Sequence, residues 1–172
     1  VPIYALGDVE PTIDPSAFVH PQAVIIGRVT IGAESTIWPG AVLRGDGAGI
    51  QIGARTSIQD NAVLHNTERF RTVVGDDCTI GHLAHLEGCT VHDGALVGTS
   101  SVVLHEAVVG RGALVGANAV VTNRMQVPPD AMALGVPAKI REGASSYEAN
   151  VLDARNYVER GHRYRRDLRQ ID

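Results

Sequence analysis

Aliphatic residues recur at six-residue intervals along most of this chain, and few folds can use that spacing. Ile13, Val19, Ile25, Ile31, Ile37 and Leu43 form a first register. Ile52, Ile58 and Leu64 form a second, and Val74, Ile80 and Leu86 a third. Val91, Val97, Val103, Val109, Val115, Val121 and Val127 form the last. The period suits neither a helix nor a long alternating strand. It predicts an all-β solenoid of hexapeptide repeats, in which three hexapeptides close one triangular coil. The solenoid should run from about Ile13 to Val127 in about six coils, with residues 1–12 as a lead-in. At 44% hydrophobic but only 4% aromatic, the chain can fill a narrow interior with Val, Ile, Leu and Ala.

The register breaks in three places. Leu43 to Ile52 spans nine residues, so the GDGAG stretch at 45–49 should bulge out. That stretch lacks the following Lys and helix start of a phosphate-binding loop. Leu64 to Val74 spans ten, leaving a short loop at NTERFRT. Leu86 to Val91 spans five, a tightened corner at Gly88. Pro128 and Pro129 should end the repeat, because Pro cannot donate to a ladder. From about residue 145 a helix is expected, with Ser145 and Glu148 as a capping box. Its stripe is Ala154, Tyr157, Gly161, Tyr164 and Leu168, packed back along the prism. Residues 1–140 are therefore read as the β-helix and 141–172 as the C-terminal helix of the same unit.

Formal net charge is -4 with both signs interspersed, which argues against a nucleic-acid partner. No apolar run approaches the ~20 residues needed to cross a bilayer, and VPIYALG does not read as a signal peptide. Cys78 and Cys89 read as small apolar fillers in a reducing compartment. The expected location is the cytoplasm.

Assigning register positions to three faces in rotation places Ile25, Leu43, Leu64, Leu86 and Val103 inward on face three. Strand neighbours alternate sides, so Ile26, Arg44, His65, Glu87 and Leu104 form the outward column. With coils about 4.8 Å apart, His65 and Glu87 lie on adjacent rungs. Face two carries Gln59, Asp60 and His82, with Asp60 stacked under His82 and able to orient its ring. His82 points away from His65 of its own chain. In a threefold ring, face three of one subunit can meet face two of the next. Two His and one carboxylate then make a valid zinc set with an open position. Gln59 lies close enough to bond a bound water or substrate. Trp38, outward on face two, is expected to fill the subunit interface.

At these residues the chain resembles the γ-class carbonic anhydrase family. The carrying segments are AVLRGD at 41–46, SIQDNAVLH at 57–65, IGHLAHLEGC at 80–89 and GVPAKI at 135–140. GVPAKI is shared with hexapeptide acyltransferases; the RGD, QDN..LH and GH blocks together are specific. The resemblance implies a left-handed β-helix, a homotrimer, and a metal at each subunit interface whose bound hydroxide hydrates CO2 reversibly to bicarbonate. It implies His65 and His82 as ligands, Arg44 and Asp46 as a pair lining the site, and Gln59 and Asp60 beside the reacting water. Tyr157 matches a C-terminal Tyr of the family. The chain departs from the family at Glu87, where a third His is usual, and carries His85 two residues earlier. Either residue completes the set. Stacking over His65 favours Glu87, and ligand softness favours His85. Zinc, ferrous iron and cobalt all suit such donors. The loop after Arg44 also lacks the family's shuttle acid. Two other classes stay open: an acyltransferase or acyl-CoA enzyme using His105 or His92 as base, and a trimeric scaffold with a structural metal.

Overall fold

The fold was obtained as a computed structural model, which describes residues 2–171. Val1 and Asp172, the outer ends of the two expected segments, lie outside the described residues. The chain forms a left-handed parallel β-helix of about seven turns, closed by one C-terminal helix. The inward positions follow the six-residue register. Ile25, Leu43, Leu64, Leu86, Val103 and Val121 pair in succession and lie wholly buried in one column. A second column runs Val19, Ile37, Ile58, Ile80, Val97, Val115. A third runs Ile13, Ile31, Ile52, Val74, Val91, Val109, Val127. Each inward side chain touches its counterparts one rung above and below, and small Ala residues at the corners complete the core.

The solenoid is longer than the expected Ile13–Val127. Ile3–Tyr4 already pairs with Ile25 and Ile26, below the first coil read from the sequence. A turn at Leu6 and Val9 interrupts the six-residue spacing there. At the other end, Met132–Leu134 continues face two with Ala133 inward against Val115. Pro128 and Pro129 do not end the repeat. They sit at a corner, where the ladder needs no donor from them, and Val127 before them still accepts from Gly110. Lys139–Arg141 then folds back antiparallel along this edge and covers it.

The nine-residue step after Leu43 is absorbed within the continuous strand Val42–Ile52. Gly45 pairs with Gly27 and Ile50 with Val29, so residues 46–49 face only Arg28 on the neighbouring strand. This irregularity projects Asp46 beside Arg44. The tightened corner at Gly88 is present, with φ +61. Many other corners also place a residue in the left-handed region, among them Asn61 and the bulky Leu83.

The helix Tyr147–Asp167, α1, is capped by Ser146, whose side chain accepts from the Ala149 amide. Ser145, the expected cap, instead lies one position outside, where Asn150 donates to its hydroxyl. Helix α1 packs across face two. A Cβ on Gly161 would lie 2.6 Å from Thr36 Cγ2, so Gly at this position permits close approach of helix and sheet. Leu168, expected in the packed stripe, is exposed past the end of the helix. Trp38 is only 5% exposed, held by Phe18, Tyr157 and Tyr164 of its own chain. It therefore does not fill a subunit interface. Among the described residues, no helix is long and apolar enough to cross a membrane. Cys78 and Cys89 are free and buried, and burial pushes both thiols up to about 12.

Candidate functional site

The face-three column places its outward residues as the register requires. Arg44 pairs with His65, and His65 with Glu87, on consecutive rungs. His85 stacks over Val63. Around His65, a cleft of about 360 Å³ is lined by Arg44, Asp46, Asn66 and Glu87 among others. His65 Nε2 lies 2.8 Å from Asp46 Oδ1, and its Nδ1 lies 3.0 Å from Glu87 Oε1. Arg44 donates to the other oxygen of Asp46. The other oxygen of Glu87 is 3.3 Å from His85 Nε2. His105, beyond the next corner, brings its Nε2 within 3.7 Å of Glu87 Oε1. That nitrogen is buried without a hydrogen-bond partner. Sequence reasoning placed His105 only as a candidate base; its approach to Glu87 depends on how the shortened corner at Gly88 packs against the ring.

Burial pushes the Asp46 carboxyl up, but the hydrogen bond from His65 and the Arg44 and His65 charges outweigh it and hold it below its ordinary value. Glu87 follows the same pattern. Burial raises it, but the bonds to His65 and His85 with the His65 and His105 charges outweigh burial and hold it below its ordinary value. A carboxyl lowered on folding contributes stability above its ordinary pKa, and that stability is lost as pH falls through the lowered value. The Asp46 and Glu87 contribution to the metal-free protein's stability should therefore be present in full above the ordinary carboxylate range and be lost as pH falls through and below it. Thermal melts of wild type and Glu87→Gln check this, and the variant should show a smaller loss.

His82 stands on a different corner. Its Nδ1 lies 2.9 Å from Asp60 Oδ2. The two residues line a cleft of about 400 Å³ with Trp38, Tyr157, Arg160, Arg163 and Tyr164. Burial raises the Tyr157 phenol above its ordinary value, opposed by the nearby Arg160. Tyr157, Asp60 and His82 are thus brought together. Gln59 is 4% exposed and lines neither cleft. Helix α1 packs on face two over Phe18–Val19, Thr36–Ile37, Ser57–Ile58 and Thr79–Ile80. The His82 corner presents Leu83, 57% exposed, and the adjoining face three presents Val63, 38% exposed.

Among the described residues, no group of three His, Cys, Asp or Glu is placed to hold a metal within one chain. The donors nevertheless suit a divalent cation shared between two chains. His82 has Nδ1 against Asp60, which leaves its Nε2 for a metal, whereas His65 has a carboxylate at each ring nitrogen, Glu87 at Nδ1 and Asp46 at Nε2, so a cation there would displace Asp46.

The model of bacterial transferase hexapeptide repeats (six repeats) matches residues 10–45 and 88–123. A Bacillus cereus crystal structure described as an acetyltransferase superposes with a TM-score of 0.91 at 35% identity, covering 94% of this chain and 95% of the other. Fold and repeat together define a left-handed hexapeptide β-helix protein. A carbonic anhydrase of Geobacillus kaustophilus is 38% identical over 165 residues, covering 95% of this chain and 91% of that protein. Gamma carbonic anhydrase 2, mitochondrial, of Arabidopsis thaliana is 38% identical over 159 residues, covering 88% of this chain but 57% of its own length. The chain belongs to the γ-carbonic anhydrase family.

Proposed function

We propose that the protein is a metal-dependent lyase that hydrates CO2 reversibly, with its sites shared between the subunits of a homotrimer. One observation carries the reading. The two histidines in the family's ligand positions are each oriented by a carboxylate, yet open onto different corners of one prism. Neither corner is a site alone, and a threefold ring brings unlike corners together. The exposed Leu83 and Val63 beside these corners suit burial in such a contact.

His65 of one subunit and His82 of the next would hold zinc, or in its place ferrous iron or cobalt. A cation held there would supply Lewis-acid activation of water at neutral pH. The chain's own residues do the rest. Asp60 and Glu87 fix the imidazoles, and Asp46 with Arg44 closes the polar side of the His65 cleft. Tyr157 lines the cleft beside His82, where its hydroxyl could bond a bicarbonate oxygen. Gln59 holds the turn that carries Asp60, its backbone carbonyl accepting from the Ala62 amide. Stopped-flow CO2 hydration by anaerobically purified protein, loaded in turn with zinc and ferrous iron, tests the reading. Acyl transfer is the second reading, carried by the Bacillus neighbour. It needs no metal, so turnover of an acyl-CoA by metal-free protein would favour it.

A further inference from the structure

We propose that Glu87 is a positioning residue and not a metal ligand, and that His85 supplies the third imidazole of the site. The inference rests on the metal-site reading above and concerns the one position where the chain departs from its family.

Both oxygens of Glu87 are already engaged, Oε1 by His65 Nδ1 at 3.0 Å and Oε2 by His85 Nε2 at 3.3 Å. A third imidazole, that of His105, stands 3.7 Å from Oε1. An ionised carboxylate only accepts hydrogen bonds, so the ring nitrogen facing it carries a proton. Nδ1 of His65 is thereby held by Glu87, and Nε2, which faces Asp46 Oδ1 at 2.8 Å in the metal-free chain, is the nitrogen a cation can claim by displacing Asp46, whose other oxygen Arg44 already holds. Asp60 does the same for His82 through Nδ1 at 2.9 Å. Glu87 thus stands to His65 as Asp60 stands to His82. A Glu87 that ligated the metal through Oε2 would give up His85, and through Oε1 it would compete with the His65 Nδ1 proton.

His85 is placed to take the vacated role. Its backbone pairs with Val63, one column away from His65, yet its ring reaches Glu87 in the His65 column. The side chain therefore leans toward the place that a His at position 87 would serve, and with Nε2 on Glu87 its Nδ1 is the nitrogen left for a cation. The ring is also partly exposed, at 37%.

Cobalt titration of wild type, Glu87→Gln and His85→Ala, read by metal content and the visible cobalt bands, tests this. Glu87→Gln should bind one cobalt per subunit with unchanged bands, at affinity lower by about 10–100-fold, the usual cost of losing an orienting partner. His85→Ala should lose tight binding, and any residual bands should shift. Full cobalt with unshifted bands in His85→Ala, beside lost binding in Glu87→Gln, would overturn the assignment and leave the metal-site reading intact. A wild type that takes up no cobalt would instead remove the metal-site reading and this inference with it. Long-range proton–nitrogen spectra of histidine-labelled wild type need no variant to fold. Nδ1-protonated His65 with a metal-shifted Nε2 is expected, and a metal-shifted Nδ1 contradicts the proposal.

Discussion

His82→Ala should leave a folded protein without bound metal and with CO2 hydration reduced to the uncatalysed rate. Removing an orienting partner of a metal-binding His costs about 10–100-fold, and removing the ligand itself should cost more. His82 is half-exposed at a corner, and apart from Asp60 it packs against little, so its removal leaves the core untouched. His65→Ala should behave the same for turnover. It should also free Asp46 and Glu87 to face each other across the cleft without the imidazole between them. Metal content, melting temperature and stopped-flow hydration measured together separate loss of the site from loss of the fold. Metal-free variants that still hydrate CO2 would contradict the reading.

Leu64→Ala should be the most costly change made near the site without touching it. Leu64 is wholly buried, stacked between Leu43 and Leu86 on the rung that carries His65. Large-to-small core changes cost about 2–5 kcal/mol, because the cavity closes only partly. A rigid triangular coil has little freedom to collapse, which places this site toward the upper part of that range. At about 2–4 °C per kcal/mol for a chain of this size, the melting temperature should fall by roughly 10 °C. Metal affinity should weaken with it, since the same strand sets the height of His65 against Glu87. Thermal melts with and without zinc measure both.

The columns of the prism were legible because inward residues can only stack on inward residues. The six-residue register alone put Leu43, Leu64 and Leu86 on one face, and with them the contact of His65 with Glu87. The pairing of Asp60 with His82 followed from the same rung arithmetic. What was not legible depended on packing outside the repeat. The turn at Leu6 and Val9 hid the first coil, and the corner prolines hid the last. Helix α1 covers Trp38, which a solenoid read alone leaves open to a neighbour. The cap fell on Ser146, one residue past the expected Ser145, whose hydroxyl instead accepts from Asn150. His105 escaped notice as a neighbour of Glu87, since the two lie on different rungs across a shortened corner.

The central claim is that each site takes His65 from one subunit and His82 from another, and mixing tests it directly. His65→Ala and His82→Ala protein, each without bound metal, would be co-expressed in equal amounts and purified as mixed trimers. Random assembly places an intact His65 face against an intact His82 corner at about one interface in four. The account predicts zinc content and CO2 hydration near that quarter of the wild-type value. Mixed trimers as empty and inactive as either parent would contradict a shared site.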